Sequence, residues 1–201
     1  TQIPYNYAIP DYGADRTGVL PTKNGAIYGV AQWYPRVAVY DDILGWNVQP
    51  YTGPGEFYLE YGNFEIAITA PAKQLVVCGG ELLNPEDVYT DEQLKRWEHA
   101  KNSDETVIIR SSEEVTKGSS RPKGAKELTW KFRLNNSRDI AWAASSSFVI
   151  DAARINLPEG KKSLAISAYP AESVGNNGWE RSTEYTKSSI EYYAKKWFSY
   201  P

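Results

Sequence analysis

The chain has 201 residues, a formal net charge of -3 and a pI near 5.4, enough for one sizeable core or for one domain and part of another. Both signs of charge are interspersed with no basic stripe, which argues against a nucleic-acid partner, and no apolar run approaches the ~20 residues of a membrane span. Cys78 is the only cysteine, so an internal disulfide and a cysteine-rich zinc site are both excluded. Seven Trp and 15 Tyr against 5 Phe suit half-wet surfaces and domain interfaces, where a ring is buried and its polar end meets water. Met is absent, position 1 included, which predicts a processed or excised piece of a longer product.

Residues 1 to 25 are rich in Pro, Gly, Asp and Tyr and predict extended, loop-rich chain ending in an Asn24-Gly25 turn. A strand is expected over Ala26 to Gln32, with Pro35 interrupting it. Gly53 to Gly55 marks another turn. Beyond it, Phe57, Leu59 and Tyr61, then Phe64, Ile66, Ile68 and Ala70, alternate as in a half-buried strand that Pro71 ends. Gln74 to Cys78 reads as a short return strand with Cys78 as a small core residue, and Gly79-Gly80 permits a bulge or turn. Thr90 and Gln93 form a capping-box pattern that opens a helix with Leu94, Trp97 and Ala100 or Lys101 as its stripe and Asn102 as its stop. The only histidine, His99, lies on this helix as a solvated side chain.

Thr106 to Arg110 is a strand, and Ser111 to Gly124 a polar hairpin arm or insertion. Leu128 to Leu134 alternates without a fault, Asn135 to Asp139 turns, and the nearly uncharged run Ile140 to Ile150 reads as one strand covered on both faces. Hairpin-like spacing of this kind predicts a mainly β, antiparallel sandwich. After Pro158-Glu159-Gly160 the character changes. A strand over Ser163 to Ala168 precedes a helix ending at Trp197, with Thr186, Ile190, Tyr193, Ala194 and Trp197 on one face. This change predicts a boundary between residues 1–158 and a second unit, 159–201, that looks cut short.

The common catalytic constellations are missing. His99 stands on a helix with no adjacent Ser or Cys context for a nucleophilic triad, a Gly-x-Ser-x-Gly elbow is absent, one His cannot supply a zinc pair one helical turn apart, and no phosphate loop precedes a helix. The paired carboxylates Asp41/Asp42 and Glu113/Glu114 are sequence neighbours, which point to opposite faces of a strand and make poor acid/base dyads. The densest polar and aromatic stretch is Gln32 to Trp46. It reads either as a tightly turned sandwich corner with Arg36 tied to Asp41 or Asp42, or as a binding loop on a rigid scaffold.

The succession Ala31-Gln32-Trp33-Tyr34-Pro35-Arg36-Val37-Ala38-Val39-Tyr40-Asp41-Asp42, then Gly55-Glu56-Phe57-Tyr58-Leu59-Glu60-Tyr61-Gly62-Asn63-Phe64, resembles the aminopeptidase N family of zinc metallopeptidases. The resemblance continues through Leu128 to Phe132 and Arg138 to Ser145, and reaches Tyr185 to Pro201. It implies a saddle-like β-sandwich with one short inserted helix over residues 1–158. Residues 159–201 would be the first strand and helix of a thermolysin-like catalytic domain. The chain stops before the family's exopeptidase motif and its His-Glu-x-x-His zinc ligands. Zinc is therefore expected in a full-length parent and not in this chain. The resemblance also implies that Gln32, four residues before Arg36, helps bind the free α-amino end of a substrate, an ammonium that needs acceptor oxygens. The family's usual partner two residues earlier, often Gln, is Val30 here. Arg36, Asp41 and Asp42 are expected as supports that fix the loop. The partners so implied are peptide N-termini and the missing catalytic domain. The alternative is an aromatic-rich module that binds carbohydrate or protein, with Trp33, Trp46 and Trp179 as stacking candidates and Trp130 and Trp142 in the core.

Overall fold

The computed structural model describes residues 2–11, 16–50, 57–175 and 178–199; the turn expected at Gly53 to Gly55 lies outside them. The strands are β1 (Thr17–Leu20), β2 (Ile27–Val30), β3 (Tyr40–Asp41), β4 (Gly45–Trp46), β5 (Gly62–Pro71), β6 (Leu75–Cys78) and β7 (Glu81–Leu82), then β8 (Val107–Arg110), β9 (Glu127–Ser137), β10 (Trp142–Ser145), β11 (Phe148–Asn156) and β12 (Lys162–Pro170). The helices are α1 (Pro85–Val88), α2 (Asp91–Ala100), α3 (Ser112–Val115) and α4 (Ser182–Lys196). The fold is mainly β, with every paired ladder antiparallel. The sheets run β1-β2-β10-β6, β12-β11-β8, β5-β9-β7 and the hairpin β3-β4. No helix among the described residues is long and apolar enough to cross a membrane.

The clearest alternation produces the longest pairing. β5 and β9 set Ile66 opposite Phe132, Ile68 opposite Trp130 and Ala70 opposite Leu128. Their outer faces carry Glu65 paired with Arg133 at 3.1 Å and Thr69 bonded to Thr129 at 2.8 Å. Phe57 to Tyr61, expected to share this alternation, stand outside any ladder, with Phe57, Tyr58 and Tyr61 exposed. β6 does not return on β5; it pairs with β10 in another sheet. β1 arises in the segment expected as loop, because Thr22 to Gly25 closes a tight turn and brings Leu20 opposite Ile27.

The run Ile140 to Ile150 is two strands, not one. At Ser145 to Ser147 the Ser147 N–H and the Ser145 hydroxyl bond locally (3.0 and 3.1 Å), an arrangement that competes with a straight ladder. Arg110 donates to Ser146 O and Phe148 O at 3.0 and 2.9 Å and so pins the corner. The polar stretch after Ser111 is likewise no hairpin arm. It holds α3 and a further helical turn, Gly118–Ser120, and wraps Arg110, whose guanidinium also donates to Val115 O and the Ser120 hydroxyl.

Thr90 caps α2 as its sequence predicts: its hydroxyl accepts from Gln93 N, and Gln93 Oε1 accepts from Thr90 N. Trp97 and Ala100 turn inward to Tyr89 and Trp130, rings 5.5 Å apart in each contact with Tyr89. Gly80 lies in the bend between β6 and β7 at φ 90°, and a Cβ there would lie 2.3 Å from Arg133 O. Gly80→Ala is expected to cost about 1–3 kcal/mol for the left-handed backbone, with displacement of the β9 carbonyl besides. A urea midpoint unchanged from wild type would contradict this.

α4 packs on β11 and β12 through Thr183, Lys187, Ile190, Glu191 and Ala194. Of the expected face, Ile190 and Ala194 turn inward, whereas Thr186, Tyr193 and Trp197 are exposed. The cause is polar. Asp151, buried on β11, accepts from Tyr169 Oη at 2.6 Å and from the Thr183 hydroxyl, which turns Thr183 inward. Lys187 Nζ then donates to Arg154 O at 2.7 Å and pairs with Glu191 at 2.6 Å. The boundary at 158/159 falls in the short turn Pro158–Gly160 that joins β11 to β12, which pair from Phe148↔Pro170 to Asn156↔Lys162.

Candidate functional site

The stretch that leaves β2 is held by a polar and aromatic frame. Val30 is buried, so its side chain belongs to the core. The Thr17 hydroxyl donates to Ala31 O at 2.7 Å, and Ala31 N donates to Arg16 O at 3.1 Å, fixing the backbone up to Ala31. Trp33 Nε1 donates to Ile140 O at 3.1 Å, and its ring meets Tyr34 and Trp142 edge-on. Tyr34 Oη donates to Asp139 Oδ1 at 3.2 Å. Burial pushes the Tyr34 phenol up to about 12; Arg36 pulls against that shift and Asp139 adds to it.

Arg36 forms an ion pair with Asp139, donates to Arg138 O at 3.1 Å and lies over the Tyr34 ring, 4.8 Å from its centroid. Its partner is therefore Asp139, not Asp41 or Asp42. Asp41 instead accepts from Ile43 N, Leu44 N and Asn47 Nδ2 at 3.0, 2.7 and 2.8 Å, closing the β3–β4 hairpin. The Leu44 N–H and then the Asn47 amide hold its carboxyl below the usual range. Asp42 is exposed on the same turn. The hairpin thus has its own lock, and the Gln32 segment has another.

Between these fixed points Gln32 sits at φ 52°, half-buried. No other described residue hydrogen-bonds to its side chain. A non-glycine residue in left-handed conformation costs about 1–2 kcal/mol and persists where the surroundings over-determine it, an arrangement that clusters at ligand-binding positions. The amide offers one acceptor oxygen and one donor nitrogen without net charge. Asp139, the hub of the frame, belongs to the expected turn Asn135 to Asp139 and to the resembling run from Arg138, neither of which gives it a site role. An acid beside Arg138 and opposite an Arg-bearing loop was its sole signal.

Elsewhere, His99 is exposed on α2, and burial pushes the Cys78 thiol up to about 11 at the end of β6. Trp130 is fully buried and Trp142 and Trp33 half-buried, whereas Trp46 and Trp179 are exposed. No three His, Cys, Asp or Glu side chains among the described residues form a group able to hold a metal. These residues do not fit a zinc site. Compared with protein-family models, curated proteins and solved structures, the chain shows no match.

Proposed function

We propose that this chain is a non-catalytic part of a zinc-dependent aminopeptidase and supplies the substrate-facing edge of its cleft. The observation that carries the reading is Gln32, on a left-handed backbone and with no side-chain hydrogen-bond partner among the described residues, set on a frame of Trp33, Tyr34, Arg36 and Asp139. It agrees with the role the family resemblance gives that position. Gln32 would accept a hydrogen bond from a substrate's α-ammonium, and the Arg36–Asp139 pair would position it. No step of peptide hydrolysis runs through residues of this chain.

The test begins with the natural protein purified from its source. A chain much heavier than 22.6 kDa with one zinc per molecule supports the reading; a mass near that value without metal overturns it. In the zinc-loaded parent, Gln32→Ala should lower kcat/KM about 10–100-fold, the worth of a hydrogen bond to a charged group. Gln32→Gly relieves the backbone and should raise stability by about 1 kcal/mol while losing the same activity. Loss of both activity and stability in Gln32→Gly would instead mark a structural residue.

A second reading rests on the β3–β4 hairpin, where Trp46 and Tyr40 form an exposed edge-on pair 5.1 Å apart. Such a platform suits stacking on sugar rings. Tryptophan fluorescence that is unmoved by a polysaccharide titration removes it.

A further inference from the structure

Three sheets meet at one cleft. β6 is the terminal strand of β1-β2-β10-β6, β7 of β5-β9-β7 and β12 of β12-β11-β8. Residues of all three, together with Trp97 of α2, line a space of about 1050 Å³. Tyr89, Trp97 and Phe132 are buried in its lining, Trp142 and Leu164 are half-buried, and Ile166 is left 40% exposed. On β12 the alternation decides which side chains take part. Ser167 and Tyr169 belong to the Asp151–Thr183 cluster under α4, while Leu164, Ile166 and Ala168 line the cleft.

The chemistry of an occupant follows from what the lining refuses. Leu75 and Val76 are fully buried on β6, so no added strand reaches that edge. Ionic ligands find no charge to answer. Lys162 is offset by Glu81 in the same lining, and Lys101 is tied to Glu98 at 2.8 Å. A flat protein face is a poor match as well, because a space bounded by three sheets and a helix is concave and its deepest side chains lie beyond such a face. What is left is apolar area in contact with water, on aromatic and branched aliphatic side chains. Only an apolar body removes that contact. The volume stands at the upper end of the about 300–1,000 Å³ of small-molecule pockets, whose walls are likewise mostly hydrophobic and aromatic. The rings of Phe132, Trp97 and Trp142 suit a ligand that itself carries rings, since such pairs gain beyond area burial.

We propose that this cleft is a binding site for an uncharged, predominantly apolar small molecule that carries rings. The inference is independent of the peptidase reading. The probe is N-phenylnaphthylamine, added to the full chain. It should bind once per chain with a rise in its fluorescence. Anilinonaphthalene sulfonate has the same rings and one added negative charge, and should bind at least about tenfold more weakly, the worth of ~1.4 kcal/mol. Ile166→Glu places a charge on the half-exposed wall and should weaken the neutral dye to a similar degree. A neutral aryl diazirine, irradiated with the unaltered chain, should label residues 78–82 or 164–168, and the neutral dye should suppress that label. Equal or tighter binding of the sulfonated dye, unchanged binding by a folded Ile166→Glu chain, or labelling of the exposed Ile43, Leu44 and Trp197 in place of the cleft overturns the proposal. The photolabel needs no variant, so it decides even if Ile166→Glu fails to fold.

Discussion

Trp130→Ala is expected to lower the unfolding free energy by about 3–5 kcal/mol, the range for truncating a fully buried large aromatic. Trp130 is 0% exposed at the centre of β9, paired with Ile68 and packed edge-on against Tyr89. The loss extends beyond the cavity. Arg121 lies over the indole, 5.6 Å from its centroid, and its Nε donates to Ala72 O at 2.8 Å. Both of its terminal nitrogens are buried without a hydrogen-bond partner among the described residues. Burial, with Arg110 nearby, draws its pKa down to about 10. The ring face is what that cation has in place of an anion. Trp130→Phe keeps a ring and removes an indole N–H that is itself buried and has no hydrogen-bond partner among the described residues, so it should cost less than about 1.5 kcal/mol. Urea melts of the two variants check the pair. A Trp130→Ala midpoint close to wild type would show that this core is not the one that cooperates in folding.

Asp151→Ala is the second large effect. The carboxylate is 1% exposed and accepts from Tyr169 and Thr183. Its removal leaves the buried Tyr169 hydroxyl without its acceptor, costing about 1–3 kcal/mol, and loosens the N-terminal turn of α4, where the Thr183 hydroxyl keeps only Ser167 Oγ, at 2.7 Å. Asp151→Asn keeps an acceptor and drops the charge, so it differs from wild type in its pH response. Burial raises the Asp151 pKa, with Glu180 adding to the shift, although Thr183 and Tyr169 oppose it. A raised carboxyl holds its proton in the folded state where the unfolded chain has released it. Its contribution is therefore fully present below the unfolded value of about 3.9 and is lost as pH rises through the folded pKa. Asp151→Asn should match or exceed wild type at pH 8, and that relative gain should shrink as the pH is lowered.

Asp104 has the opposite sign. Arg154, then Asn156, pulls its pKa down to about 2, so its contribution is present above the unfolded value and lost as pH falls through that point. Subtracting the Asn variant's stability curve from that of wild type isolates the Asp151 contribution. A difference that does not change with pH would mean that Asp151 titrates alike folded and unfolded.

The candidate site was legible in part. Gln32, Arg36 and Asp41 stand out as residue types in a dense stretch. However, the partner of Arg36 lies on the turn between β9 and β10, over a hundred residues away in the chain, and no local pattern points to it. The positive φ of Gln32 has no glycine or asparagine to announce it. Only the anchoring of Ala31 on one side and Trp33 on the other requires it.

Local interactions explain what could be read directly. The capping box at Thr90 closes within four residues, and the period of two in β5 and β9 follows from the pleat; both survive in any tertiary context. The run from Ile140 to Ile150 is different, because Ala and Ser fit either face of a strand and leave its path open. The guanidinium of Arg110, reaching the carbonyls of Ser146 and Phe148, decides that path. The inward face of α4 is settled in the same way by one buried carboxylate that needed donors. The sequence by itself determined the mainly β class, the alternating strands β5 and β9 and the capped helix α2, through periodicity and capping. Where each strand pairs and which way each face turns depended on buried polar groups finding partners distant in the chain.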